Sequence, residues 1–122
     1  MSNAGAQAHK FYSEVAEKRV LWAAKDAEAN KYLEFDISNN EVSMPLWSSK
    51  SRVQKIIKLN PELLAGMSVV EISWDDFINE LVPNLKKQGR KIGVNLSGKN
   101  LVGFDRDIDG VLGSIASYAS DS

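Results

Sequence analysis

The sequence predicts an α+β fold: one domain with a mainly antiparallel or mixed sheet of about six strands and about four helices, in the order αβββαβαββα. Three observations carry this. Apolar and polar residues alternate on both sides of Asn39-Asn40, and a second pair of strand-like segments brackets Ser97-Gly98-Lys99-Asn100. Between and around them lie segments with helical spacing, one of which has both a start and a stop signal. At 122 residues the chain suits one core and leaves no room for a second domain.

The elements follow in order. Ala8, Phe11, Tyr12, Val15 and Ala16 fall on one helical face, which predicts a first helix starting near residue 8, with His9 in its frayed first turn. Val20 to Ala24 is a short continuous apolar run, the pattern of a strand buried on both faces, and Asp26 to Asn30 is a turn. Leu33, Phe35 and Ile37, then Val42, Met44 and Leu46, form a hairpin about Asn39-Asn40, because Asn tolerates the left-handed backbone of a tight turn. Together these three strands read as a meander. Pro45 lacks a ladder donor, so the third strand should end there or lie on an edge.

Ser48 or Ser49 caps a second helix with Val53, Ile56 and Ile57 inward, and Asn60-Pro61 breaks it. Met67 to Ile72 is a strand. Ser73, with Asp76 three residues on, opens a helix whose acids come early and whose Lys86 and Lys87 come late, and Gly89 stops it. Pro83 inside that helix should kink or divide it. Lys91 to Leu96 and Leu101 to Phe104 form a second hairpin. A last helix runs from about Asp107 to Ala119, with Ile108, Val111, Leu112 and Ile115 inward. Gly110 and Gly113 weaken it by about 1 kcal/mol each, which points to close packing or local mobility there. Residues 1–7 read as a flexible N-terminus, with Ser2-Asn3-Ala4 consistent with a tag remnant, and 120–122 as a flexible tail around a domain spanning 8–119.

Composition narrows function by exclusion. With no Cys and one His, thiolate catalysis, disulfides and Cys- or His-rich metal sites are gone. Lys and Arg total 15 against 16 Asp and Glu, a net charge of −1, so no global field favours nucleic acid or anionic membrane. Neither a secretory signal nor a membrane span is visible, so the expected location is the cytoplasm.

Two motifs are nearly complete. Gly93 to Lys99 has the glycine spacing of a phosphate-binding loop, but Asn100 replaces Ser or Thr and a strand follows where a helix is needed. Asp105, Asp107 and Asp109 with Gly110 open like a calcium loop, but Ala116 stands where the closing acid belongs. The plainer reading of these aspartates is a capped helix N-terminus. Adjacent Asp75 and Asp76 point about 100° apart on a helix, so capping explains them better than acid-base work. Two basic segments, Lys50 to Lys58 and Lys86 to Lys91, read as solvated faces without interleaved aromatics.

Several pieces, in order and spacing, resemble the bacterial family catalogued as domain of unknown function 2750. They are Phe11-Tyr12, Val20 to Asp26, Met44-Pro45-Leu46-Trp47-Ser48, the stretch Ile72 to Pro83, and Gly93-Val94-Asn95. The resemblance spans roughly residues 10 to 112 and implies a single small bacterial domain; it brings no activity with it. The sequence reading is therefore a non-catalytic protein-binding module without a cofactor. Its expected surface is Pro45, Leu46 and Trp47 with Arg52 and Lys55 of the neighbouring basic helix. A small-ligand or weak calcium-binding module, and an immunity or antitoxin-like inhibitor, are the alternatives. The expected partner is another protein rather than membrane or nucleic acid, with a homo-oligomer left open.

Overall fold

A computed structural model describes residues 4–120 of the chain. The elements are α1 (Ala4–Lys18), β1 (Val20–Asp26), β2 (Lys31–Tyr32), β3 (Phe35–Ile37), β4 (Glu41–Leu46), α2 (Lys50–Leu59), β5 (Met67–Ser73), α3 (74–88), β6 (Lys91–Ser97), β7 (Val102–Arg106) and α4 (Ile108–Ser120). The fold is α+β, as the alternation predicts, with four helices and seven strands among the described residues.

The strands divide into two sheets rather than one. The order β2-β1-β5 is antiparallel throughout, and β3-β4-β6-β7 is mixed, with β4 and β6 parallel. The expected three-stranded meander is therefore corrected. β1 pairs along its whole length with β5, from Val20 opposite Ser73 to Asp26 opposite Met67. It touches the other sheet at one point, where Trp22 and Trp47 exchange two backbone hydrogen bonds of 2.8 Å.

A doubly buried β1 is what its apolar run predicts, and it follows from this placement. Leu21 and Ala23 face a large core with Phe11, Val15, Met44, Phe77, Ile92 and Val111. Ala24 and the partly buried Trp22 face a second core with Trp47, Val53, Ile56, Leu64 and Leu96. At the strand's end Asp26 Oδ1 accepts from the backbone N–H groups of Glu28 (3.0 Å) and Ala29 (3.2 Å), an Asx turn.

The Asn39-Asn40 hairpin holds. Both asparagines are left-handed, with φ of 62° and 60°, and Phe35, Asp36 and Ile37 pair with Ser43, Val42 and Glu41. Pro45 lies past the end of β3 pairing, opposite Gly93 of β6. Ser49 is the cap of α2, accepting from Arg52 N at 3.4 Å.

α3 begins at Ser73, whose hydroxyl accepts from Asp76 N at 3.1 Å. Pro83 has no N–H to return to residue 79, and the helix absorbs the loss in a π-helical turn, Phe77–Leu81, in which Val82 N–H reaches back to Phe77 O. Gly89 ends it at φ 70°, with Gly89 N bonded to Lys86 O (3.1 Å) and Arg90 N to Leu85 O (2.9 Å), a Schellman motif that a side chain at 89 would strain.

The largest departure is at the N-terminus. α1 starts at Ala4, so residues 4–7, expected to be flexible, are helical, and His9 packs edge-on against Tyr118 instead of fraying. Met1 to Asn3 and residues 121–122, where the tag remnant and most of the flexible tail were expected, lie outside the described residues. No helix among the described residues is long and apolar enough to cross a membrane.

Candidate functional site

The parallel pairing of β4 and β6, with Leu46 opposite Val94, carries Trp47-Ser48 to Asn95-Leu96. Trp47 is fully buried, and its indole Nε1–H donates to Leu96 O at 2.8 Å. Pro45 and Leu46 are buried with it. The expected docking surface of Pro45, Leu46 and Trp47 is thus overturned. The two tryptophans close the seam between the sheets, and a large aromatic with its polar edge satisfied belongs in a core.

A buried polar cluster surrounds that seam. Ser48 N donates to Asn95 Oδ1 (2.9 Å), and Asn95 Nδ2 donates to Ser48 Oγ (3.0 Å) and to Gln7 O of α1 (3.2 Å). Ser48 Oγ donates onward to Glu14 Oε1 at 2.5 Å. Asn95 has φ 47° and no exposed surface, at a bulge where the β6–β7 register shifts between Val94 and Ser97. The bulge turns its amide out of the ladder and toward α1. A left-handed, fully buried residue persists only where its surroundings hold it, and such strain concentrates at functional sites.

Against this cluster opens a cleft of about 720 Å³ between α1, α2 and the start of the β6–β7 hairpin. Lys10, Arg52 and Lys55 line it, with Ile56, Leu59 and Leu96 as its apolar surface. The cap at Ser49 sets the phase of α2, so that residues 52, 55, 56 and 59 share one face. Arg52 Nε lies 3.9 Å from Glu14 Oε1; Lys10 and Lys55 have no carboxylate within 4 Å among the described residues. Gln7 Nε2 donates to Ser97 Oγ, while its Oε1 is buried with no hydrogen-bond partner. The lining holds no carboxylate, imidazole or thiol. Its chemistry is that of an anion receptor with an apolar surface and one unmet acceptor, with no acid-base pair.

Arg52 and Lys55, expected beside an exposed Trp47, instead line a cleft that faces α1 and Leu96. The sequence reading places none of Gln7, Lys10, Glu14 and Asn95 in a site, and it reads Ser48 as a possible helix cap. The available signal was Asn95, a lone amide between Val94 and Leu96 in an otherwise apolar strand.

The other motifs resolve simply. Leu101 N bonds to Gly98 O at 3.2 Å and β7 follows, so Gly93 to Lys99 is a strand and hairpin turn, not a phosphate loop. Asp105 Oδ1 accepts from Ser43 Oγ (2.6 Å), Asp107 faces Lys91 (3.7 Å) and Asp109 pairs with Lys86 (2.8 Å). No group of three or more acids or histidines able to hold a metal is present among the described residues. Asp107 stands before α4 and its carbonyl takes Val111 N at 3.0 Å, the position of a helix cap.

Fold and site together define a small α+β domain with a basic, apolar-surfaced cleft beside a buried Ser48–Asn95 pair that reaches the half-buried Glu14. The family model described as protein of unknown function (DUF2750) matches residues 8–112, and the chain belongs to that family. No curated protein matches the chain.

Proposed function

We propose that this domain is a non-catalytic protein-binding module of the bacterial cytoplasm, and that its docking face is the α1–α2–β6 cleft. The partner is an acidic segment of another protein that carries at least one apolar side chain. The observation that carries the reading is the mismatch inside the cleft: Lys10, Arg52 and Lys55 around an apolar surface, with Glu14 as the one carboxylate within 4 Å of their charged groups among the described residues. Charge complementarity of this kind steers association and selects acidic partners.

The test is selection from a random peptide library on the immobilised full-length chain. Peptides that pair Asp or Glu with Leu or Phe, and lose binding to an Arg52→Glu, Lys55→Glu variant with an unchanged melting curve, support the reading. Selected peptides without acidic bias, or binding indifferent to the charge reversal, overturn it.

A further inference from the structure

On the opposite flank of α1 lies a second pocket, of about 580 Å³, between α1, β7 and α4. Its wall is aromatic. His9, Tyr12, Phe104 and Tyr118 line it above small Gly5 and Ala8. The rings of Tyr12 and Tyr118 stack at 6.2 Å and 28°, and His9 meets Tyr118 edge-on. Phe104, on the edge strand β7, is 47% exposed, one of the few large apolar side chains left to solvent.

Arg106 supplies the charge. Its Nη1 donates to Tyr12 OH (2.6 Å) and Ser114 Oγ (3.1 Å), and its Cζ lies 5.6 Å from the centre of the Tyr12 ring. These contacts fix the guanidinium without neutralising it. Asp105, its neighbour in the wall, is turned to Ser43, and no carboxylate lies within 4 Å of Arg106 among the described residues. Both Nη1 hydrogens are used, while Nε and Nη2, the side-on fork that takes a carboxylate in two parallel hydrogen bonds, have no hydrogen-bond partner among the described residues. Gly110 stands over that edge: a Cβ there would come within 2.9 Å of Nη2.

We propose that this pocket binds a small planar aromatic carboxylate, its ring among Tyr12, Tyr118 and Phe104 and its carboxylate against the Arg106 guanidinium. The volume suits a small molecule, and the rings and the held cation match the two halves of such a ligand.

The test uses the full-length, ¹⁵N-labelled chain and benzoate, with cyclohexanecarboxylate and benzylamine as comparators. Benzoate shifts the Arg106 Nε–H resonance and the Phe104 amide, cyclohexanecarboxylate binds more weakly, and benzylamine does not bind. Affinity falls about tenfold in Arg106→Met, the loss of a charge-assisted pair, and about fivefold in Phe104→Ser, the loss of one aromatic contact. If Arg106→Met does not fold, Phe104→Ser and the ring comparison decide. An unmoved Arg106 Nε–H at high millimolar benzoate, equal binding of the two carboxylates, or unchanged affinity in Phe104→Ser overturns the proposal.

Discussion

Replacing Asn95 with Ala removes three hydrogen bonds from a residue with no exposed surface, to Ser48 N, Ser48 Oγ and Gln7 O. The expensive loss is the Ser48 N–H, which stays buried without an acceptor at about 1–3 kcal/mol. Alanine must also hold φ 47°, where Asn is better tolerated, adding about 1 kcal/mol. The sum is about 2–4 kcal/mol, a large share of the roughly 5–15 kcal/mol that holds a domain together. At about 4 °C per kcal/mol for a chain of this size, the melting point falls by about 8–16 °C. Urea and thermal unfolding by circular dichroism measure it. Asn95→Gly separates the two terms, since it loses the same hydrogen bonds but accepts the left-handed backbone, and should be at least as stable as Asn95→Ala. The reasoning fails if Asn95→Ala lies within about 0.5 kcal/mol of wild type, or if Asn95→Gly is clearly the worse of the two.

Three further outcomes are expected. Trp47→Phe lowers stability by about 1–3 kcal/mol because Leu96 O loses its indole donor and the seam between the sheets loses volume; chemical denaturation checks it, and a neutral change refutes the buried assignment. Gly113→Ala, facing open space, raises stability by up to about 1 kcal/mol, while Gly110→Ala gains less or loses because its Cβ displaces a guanidinium held by Tyr12 and Ser114; paired melting curves compare them. Millimolar calcium leaves the melting temperature unchanged, since Asp105, Asp107 and Asp109 are turned to Ser43, Lys91 and Lys86; a calcium-dependent rise that Asp107→Ala abolishes would restore the calcium reading.

Elements whose signals are local were legible in the sequence. The Asn39-Asn40 hairpin, the Ser73 cap and the Gly89 stop each depend on backbone angles and hydrogen bonds within a few residues, and all three are found where predicted. Sheet assignment was not legible, because β1 chooses β5 over the nearer β3–β4 hairpin through pairings 41 to 53 residues apart in sequence. Trp47 failed for the same reason: whether a tryptophan at a strand end is an anchor or a seam depends on which strand arrives beside it, and here that is β1. The candidate cleft was half legible. Arg52 and Lys55 stand out as charge on a helix face, but Gln7 falls in the expected flexible terminus that α1 in fact orders, and Lys10, inside the expected first helix, carries no signal of its own.

That ordering makes α1 the element on which both sites depend, and it dictates how variants at either must be read. Gln7 and Lys10 line the basic cleft, while His9 and Tyr12 line the aromatic pocket. The helix is fastened on one flank by Asn95 and by Glu14 to Ser48, and on the other by Arg106 to Tyr12. Loosening either fastening shifts the helix under both sites. A variant that weakens peptide binding and benzoate binding together has therefore moved α1, whereas a variant that weakens one alone has removed a contact with that ligand. Asn95→Ala should fall in the first class and Lys55→Glu and Phe104→Ser in the second, so measuring both ligands on all three separates positioning from recognition.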